Sequence, residues 1–120
     1  MEFELSVIIP TLNEEKNIGS LIDFIDQENV KTEVIISDAD STDNTRKIAA
    51  AKGAEVVNSK KASRGLQLNR GAEIASAPIL LFLHADSTLE RGSLFALVKT
   101  MQNQEKKIGG CFTLEIKSKH

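Results

Sequence analysis

The amino-acid sequence predicts an α/β fold in which a mostly parallel sheet is flanked by helices. Short runs of β-branched and other apolar residues alternate along the chain with segments whose apolar residues recur at helical spacing. Acidic and polar residues directly follow three of the strand-like runs. Strands that alternate with helices form parallel sheets covered on both faces, and ligands collect at the carboxyl ends of such strands. The 120 residues suffice for a single domain, 1–120, with one core.

The first strand and helix occupy the opening of the chain. Leu5–Pro10 is a short β-branched run that proline ends, which favours a buried strand over a helix. Apolar residues then recur at helical spacing from about Glu14 to Glu28, with Asn13 available as the N-cap. This amphipathic pattern predicts a helix that packs on the sheet.

A second strand and helix follow directly. Glu33–Ser37 repeats the strand pattern, and either Ser41 or Thr42 can cap the next helix. That helix is expected to end at Gly53, because glycine readily adopts the left-handed conformation common after a helix C-terminus. The first four elements therefore form a β-α-β-α unit.

The remaining elements continue the alternation. Ala54–Val57 is a third short strand, and a polar loop leads from it to a helix over Gly65–Ala75. Pro78 opens a fourth strand, Ile79–Leu83, which is the most apolar stretch of the chain. Apolar residues at helical and then at alternate spacing mark the last helix (Leu94, Leu97, Val98 and Met101) and the last strand (Phe112, Leu114 and Ile116).

Composition and charge exclude several classes of partner. The 15 Lys and Arg residues against 17 Asp and Glu residues give a net charge of -2, without the basic clusters that bind nucleic-acid polymers. No apolar stretch reaches the length of a transmembrane segment. The single cysteine, Cys111, is predicted to lie in the core and cannot form an internal disulfide. A cytoplasmic protein is therefore expected, or one peripheral to a membrane as part of a longer protein.

The residues that follow the strands carry the chemistry. Acids and other polar residues occupy Thr11–Glu15, Asp38–Asp43 and His84–Ser87. Carboxylates at strand ends can accept hydrogen bonds from a base or a ribose, and they can bind a hard cation such as Mg²⁺ or Mn²⁺. Alternate residues of an extended segment face the same way, so His84 and Asp86 are expected on one side of the chain.

Four motifs in order resemble those of family 2 glycosyltransferases with the GT-A fold. They are SVIIPTLNEE at residues 6–15, DADSTDNT at 38–45, RGLQLNRGA at 64–72 and LLFLHADS at 80–87. The resemblance implies a Rossmann-like domain that binds a nucleotide-diphosphate sugar, with a uridine-type donor favoured. It also implies that this chain is the N-terminal part of a longer glycosyltransferase domain.

The resemblance carries roles over to individual residues. Residues expected to line the nucleotide-sugar site are Pro10, Thr11, Asn13, Glu14, Asp38, Asp40, Arg64, His84 and Ala85. Among these, the resemblance gives Asp38 a hydrogen bond from the uracil edge. Independently of the resemblance, Lys60, Lys61 and Arg64 form a basic loop after the third strand that could reach the diphosphate. The family's D-D-G-S pattern is D-A-D-S here, so Ala39 replaces an acid and Asp40 replaces a glycine. Asp86 takes the place of the family's metal ligand, and His84 is a second candidate ligand for Mn²⁺ or Mg²⁺.

The activity that the resemblance implies is a metal-dependent, inverting transfer of a sugar from a nucleotide-diphosphate donor to an unidentified acceptor. Two other interpretations stay open. One is a non-catalytic nucleotide-binding or assembly domain. The other is a sugar-phosphate nucleotidylyltransferase, which the acidic, glycine-free segment Thr11–Glu15 disfavours.

The resemblance also predicts that part of the catalytic machinery is missing. The general base of the family's inverting members lies beyond the motifs found here, and after Cys111 the only acid, Glu115, is placed facing outward by strand alternation. We therefore expect that this chain alone does not transfer sugar at a normal rate. Its apolar last strand would form an exposed sheet edge, which predicts a homo-oligomer.

Overall fold

Strands and helices alternate throughout the described part of the chain. The structure is a computed structural model that describes residues 3–108 and 112–116, with side chains described for residues 3–103. Its elements are β1 (Leu5–Thr11), α1 (Ile18–Asp26), β2 (Thr32–Asp38), α2 (Thr45–Ala51), β3 (Glu55–Asn58), α3 (Arg64–Ile74), β4 (Ile79–Leu83), α4 (Ser93–Ile108) and β5 (Phe112–Ile116). The predicted order of elements is confirmed.

All five strands are parallel and lie in the order β3-β2-β1-β4-β5. Thr11 at the end of β1 pairs with Asp38 at the end of β2, and Asp38 pairs in turn with Asn58 at the end of β3. The carboxyl ends of the strands thus share one edge, which we call the C-terminal edge. Because the chain runs from β1 to β3 in one direction and then returns to β4 on the other side of β1, the topological switch point lies between β1 and β4.

β5 lies at the outer edge of the sheet, beside β4. This backbone position agrees with the predicted edge strand. Cys111 and the side chains of Phe112, Leu114, Glu115 and Ile116 lie outside the described residues. The core position of Cys111, the outward direction of Glu115 and association through β5 therefore stay predictions.

Both faces of the sheet are covered, which explains why the central strands are apolar at successive positions. Val7 and Ile9 of β1 belong to a large buried cluster with α1 and α4. Ile8, between them, faces the other way and packs with Leu68 of α3. Alternate residues of a strand face opposite sides, so a strand covered on both faces needs apolar residues at every position.

Two helices begin later than the sequence predicts. α1 starts at Ile18 and not near Glu14, and α2 starts at Thr45 and not after Ser41 or Thr42. Asn13 is therefore not an N-cap; the cap positions are Asn17 and Asn44, and neither makes a side-chain cap bond. The predicted caps were wrong because those side chains bind the neighbouring loop, as described below. The C-terminal prediction is confirmed, since Gly53 follows α2 with φ of 89°.

The loop after β4 is anchored to the segment after α1 through a buried carboxylate. Glu28 accepts hydrogen bonds from the backbone N–H groups of Gly92, at 2.9 and 3.1 Å, and Leu94, at 3.0 Å. An acid at this position satisfies free amides at the start of α4 and favours the positive end of the helix dipole. None of the described helices, α4 included, is long and apolar enough to cross a membrane.

Helix α3 approaches β1 so closely that only glycine fits at the contact. A Cβ added to Gly71 would lie 2.4 Å from Cγ2 of Ile8, whereas a Cβ added to Gly65 would meet nothing within 4 Å. We expect Gly71→Ala to lower the free energy of unfolding by about 1–3 kcal/mol, because the helix must move away from the strand. Denaturant unfolding monitored by circular dichroism measures the change.

Gly65→Ala is the matched control on the same helix. Its added methyl group has open space, so the lower entropy of the unfolded chain should leave stability unchanged or raise it by about 0.4–1 kcal/mol. Equal losses in the two variants would show that helix propensity, and not the contact with Ile8, controls stability at Gly71.

Candidate functional site at the C-terminal edge

The loops after β1 and β2 are joined by hydrogen bonds from Asn13. Its side-chain Oδ1 accepts from the backbone N–H groups of Thr42, at 2.9 Å, and Asp43, at 3.3 Å. Its own N–H donates to Oγ of Ser41 at 2.8 Å. Asn13 adopts a left-handed backbone conformation with φ of 54°, which asparagine tolerates better than most residues. The Asn13 side chain therefore fixes the geometry of both loops.

The two glutamates after Asn13 extend this network. The N–H of Glu14 donates to Oγ1 of Thr45 at 2.8 Å, and the N–H of Glu15 donates to Oδ2 of Asp43 at 3.2 Å. In return, the N–H of Asn44 donates to Oε1 of Glu15 at 3.1 Å. Desolvation raises the pKa of Asp43, but hydrogen bonds from Thr45 and from the Glu15 backbone outweigh it and hold that pKa below its ordinary value. Asp43 is thus a charged acceptor that orders the start of α2.

Asp38 is buried at the centre of the edge, with 0% of its surface exposed. Its Oδ1 accepts from the hydroxyls of Thr11 and Ser41, each at 2.6 Å. Its Oδ2 accepts from the N–H of Ser41 at 2.8 Å and lies 3.5 Å from Nε of Arg46. Both oxygens of this buried carboxylate are therefore hydrogen-bonded within the chain, and its charge is paired with Arg46.

A second carboxylate lies two residues further on and is exposed. Asp40 has φ of 56°, and its Oδ1 accepts a hydrogen bond from Nδ2 of Asn58 at 2.7 Å. Asn58 is itself oriented, because its Oδ1 accepts from the N–H of Lys60 at 2.7 Å. The loops after β2 and β3 therefore present a fixed pair of polar groups at the surface.

The segment after β4 alternates in exposure. Ala85 is buried, whereas His84 is half-buried and Asp86 is exposed, which agrees with the predicted alternation. Nη2 of Arg64, at the start of α3, lies 3.2 Å from Nε2 of His84. A guanidinium can only donate, so Nε2 of His84 acts as the acceptor and we assign the ring proton to Nδ1.

Helix α3 is also tied to the strand ends by a buried amide. Nε2 of Gln67 donates to the carbonyl oxygens of Thr11, at 3.0 Å, and Ser37, at 2.9 Å. These bonds link α3 to the ends of β1 and β2, and the first residue of α3 is Arg64. Gln67 therefore positions Arg64 relative to the loops after β1 and β2 without lying on the surface itself.

Comparison with known proteins identifies the family. The family model described as "Glycosyl transferase family 2" matches residues 6–118. The chain belongs to glycosyl transferase family 2. The four predicted motifs all lie within the matched region and all map to the C-terminal edge or to α3, which abuts it.

Curated relatives in family 2 are longer than this chain. A 4,4'-diaponeurosporenoate glycosyltransferase of Staphylococcus haemolyticus is 33% identical over 109 residues, which cover 84% of this chain and 29% of that protein. An uncharacterised glycosyltransferase of Mycobacterium tuberculosis is 28% identical over 106 residues, which cover 88% of this chain and 47% of that protein. The chain thus spans less than half the length of these relatives.

Solved structures agree with the GT-A fold. Glucosyl-3-phosphoglycerate synthase of Mycobacterium tuberculosis, in complex with Mn²⁺, UDP and glucosyl-3-phosphoglycerate, matches with a TM-score of 0.68 and 31% identity. The match covers 82% of this chain and 39% of the synthase chain. Residues 1–349 of Staphylococcus aureus TarS match with a TM-score of 0.75 and 25% identity, over 83% of this chain and 32% of that one. The predicted fold class is therefore confirmed.

The structure brings the predicted site residues of this family 2 chain to one edge, in two groups. One group belongs to the ends of β1 and β2 and comprises Pro10, Thr11, Asn13, Glu14, Asp38 and Asp40; the other, near the end of β4, comprises Arg64, His84, Ala85 and Asp86. Their contacts with a nucleotide sugar stay predictions. The burial of Asp38 adds a condition, since a base that reached its carboxylate would have to displace Thr11 or Ser41.

The residues after β4 fit a metal ion that is shared with a diphosphate. Within residues 3–103 no group of three or more His, Cys, Asp or Glu side chains is placed to hold a metal. Mg²⁺ at phosphate sites is usually held by one or two carboxylates together with the substrate phosphates, and not by an all-protein cage. Asp86 meets that requirement. His84 fits less well, because its Nε2 faces the Arg64 guanidinium.

Sequence reasoning missed three residues that organise the site, namely Arg46, Asn58 and Gln67. Arg46 and Asn58 look like ordinary surface residues in the sequence, and no local pattern marks Asp38 and Asp40 as their partners. Gln67 left a detectable signal, since it is a polar residue beside Leu68 on the buried side of an amphipathic helix. A buried amide needs hydrogen-bond partners, and the carbonyl groups of Thr11 and Ser37 at the strand ends supply them.

Proposed function

We propose that this chain is the donor-binding part of a metal-dependent, inverting glycosyltransferase. The donor is a nucleoside diphosphate sugar of the uridine type, and the acceptor is not identified by the residues described. The relatives support this proposal, since the matching glucosyl-3-phosphoglycerate synthase is described with Mn²⁺ and UDP.

The observation that carries the proposal is the division of the C-terminal edge into two chemically different halves. The half formed by the ends of β1 and β2 is rigid and rich in hydrogen-bonding groups around Asn13, which suits a nucleoside. The half after β4 presents the exposed carboxylate of Asp86 together with the cation of Arg64, which suits a diphosphate with its metal. The switch point between β1 and β4 separates the halves, where α/β sheets bind their ligands.

The two halves divide the chemical work of donor activation. A divalent metal held by Asp86 would neutralise the negative charge that develops on the diphosphate as its bond to the sugar breaks. Arg64 contributes charge-assisted hydrogen bonds to the phosphate oxygens. The loops joined through Asn13 hold the nucleoside. The bond between the diphosphate and the sugar therefore has a fixed position at the C-terminal edge.

Calorimetric titration of the chain with UDP and with UDP-sugars, in the presence and absence of Mn²⁺, tests this proposal. We expect nucleotide binding that requires the metal. Asp86 supplies a single ligand, so Mn²⁺ is held only together with the diphosphate. An assay of donor hydrolysis on the same samples separates a transferase lineage from a pure binding module. Absence of binding to every nucleotide tested would overturn the proposal in favour of an assembly domain.

A further inference from the structure

Asp38, the acid that ends β2, is already satisfied by partners within the chain. Its side chain is entirely buried, three hydrogen bonds from Thr11 and Ser41 reach its two oxygens, and Arg46 forms an ion pair with it. Ala39, the next residue, is buried and has no polar side chain. The first carboxylate of this loop that a ligand can reach without displacing Thr11 or Ser41 is therefore that of Asp40, which is exposed.

The carboxylate of Asp40 is held in one orientation by the chain around it. Its backbone has φ of 56°, a conformation in which residues other than Gly, Asn and Asp are uncommon. Nδ2 of Asn58 donates to its Oδ1 at 2.7 Å, and Asn58 is fixed in turn by the N–H of Lys60. The Asp40 acceptor and the Asn58 amide thus lie side by side. Both side chains are already oriented, so a ligand does not have to order them when it binds.

The distance of Asp40 and Asn58 from Asp86 matches the distance of the base from the diphosphate in a nucleoside diphosphate. Asp40 follows β2 and Asn58 ends β3, while Asp86 follows β4, and β1 lies between β2 and β4. Strands are spaced about 4.8 Å apart, so the pair lies two to three strands, roughly 10–14 Å, along the edge from Asp86. A donor whose diphosphate lies at Asp86 and whose ribose lies over β1 would therefore extend its base over the ends of β2 and β3.

We propose that Asp40, oriented by Asn58, is the residue that selects the base of the donor. The Asp40 carboxylate accepts the imide N–H of the base, and the Asn58 amide donates to the adjacent carbonyl oxygen. Uracil presents this imide and carbonyl, and so does guanine. The assignment rests on the proposed function, and it gives to Asp40 the contact that the sequence alone suggests for Asp38.

Replacement of one carboxylate oxygen of Asp40 by an amide NH₂ group tests the assignment. Asp40→Asn keeps the shape, the left-handed backbone and an oxygen for Asn58, but it replaces an acceptor with a donor. We measure the dissociation constants of UDP, GDP, CDP and ADP in the presence of Mn²⁺. The wild-type chain should bind UDP or GDP at least about tenfold more tightly than CDP and ADP, and the UDP and GDP arms show which imide base fits.

In Asp40→Asn the affinity for the preferred imide nucleotide should fall about tenfold to a hundredfold, the usual effect of losing a charged hydrogen bond. CDP should lose less or gain, because the new amide can donate to the ring nitrogen of cytosine. The UDP-to-CDP or GDP-to-CDP affinity ratio therefore shifts at least about tenfold. In Asp40→Gly the new residue has no side chain and tolerates the left-handed backbone, so this variant should lose the same base preference. Agreement between the two variants would show that the effect is not specific to asparagine.

Asp43→Asn is the matched control, since Asp43 is an acid of the same loop that binds Thr45 and the Glu15 backbone. It should change all four affinities by a similar factor and leave their ratios unchanged. Equal ratios in Asp40→Asn and the wild-type chain, or equal binding of all bases by the wild-type chain, would overturn the assignment alone. Failure of the wild-type chain to bind any of the four nucleotides would instead overturn the proposed function.

Discussion

Replacement of Asp86 with asparagine is expected to remove the Mn²⁺-dependent part of nucleotide binding while leaving the fold intact. Asparagine keeps the shape of the side chain but removes its charge, and a hard divalent cation prefers a carboxylate ligand. Loss of partners outside the first coordination shell already costs about 10–100-fold in metal affinity, so loss of the protein ligand itself should cost about 100-fold or more. Titration of UDP at several Mn²⁺ concentrations measures the effect.

The control for this variant is Asp23→Asn, which removes an acid of α1 that pairs with Lys52, the residue after α2, outside the candidate site. It should leave the metal dependence of UDP binding unchanged. If Asp86→Asn kept the metal dependence of the wild-type chain, Asp86 would not be the metal ligand, and the division of the edge into a nucleoside half and a metal half would need revision.

Removal of the Asp38 carboxylate should have the largest effect on stability. In Asp38→Ala the buried hydroxyl of Thr11 and the N–H of Ser41 each lose their acceptor, at about 1–3 kcal/mol for each unsatisfied group. We expect the free energy of unfolding to fall by about 2–4 kcal/mol. Arg46 is half exposed, so we add nothing for its ion pair with Asp38.

Urea unfolding measures the free energy of unfolding of Asp38→Ala, and Asp40→Gly is the control variant. Asp40 is exposed and glycine suits its backbone, so that variant should keep the stability of the wild-type chain. Where Asp38→Ala still folds, its affinities for uridine and UDP should fall by similar factors, because Asp38 orders the nucleoside loops. Wild-type stability in Asp38→Ala would contradict an organising role for this carboxylate.

The sequence predicts the fold well because the deciding signals are local. The continuous apolar runs of β1, β2 and β4 and the helical spacing in α1 need only neighbouring residues to be recognised. Their order then restricts the sheet to a parallel one with its polar residues at a single edge. Family resemblance adds the expected roles of Asp38 and Asp86.

The helix starts and the hydrogen-bond partners could not be predicted, because they depend on residues distant in the chain. Asn13, Ser41 and Thr42 are all good N-caps in isolation. In the folded chain each finds a better placed partner in the facing loop, so α1 and α2 begin several residues later. The surroundings of Asp38 have partly the same origin, since Thr11 reaches it only when β1 and β2 pair, whereas Ser41 and Arg46 are near it in the chain.

The bonds between the loops after β1 and β2 also bear on the order in which the chain folds. Asn13 and Ser41 are 28 residues apart, whereas the bond from Gln67 to Thr11 spans 56 residues and the bond from Ala77 to Ser6 spans 71. The entropy lost on closing a loop grows with its length, so the shortest of these closures is the least costly. We expect the amide of Asn13, which donates to Oγ of Ser41, to gain protection from hydrogen exchange early in refolding. The half of the edge that contains Asp86 would then dock onto an already formed β1–β2 nucleus.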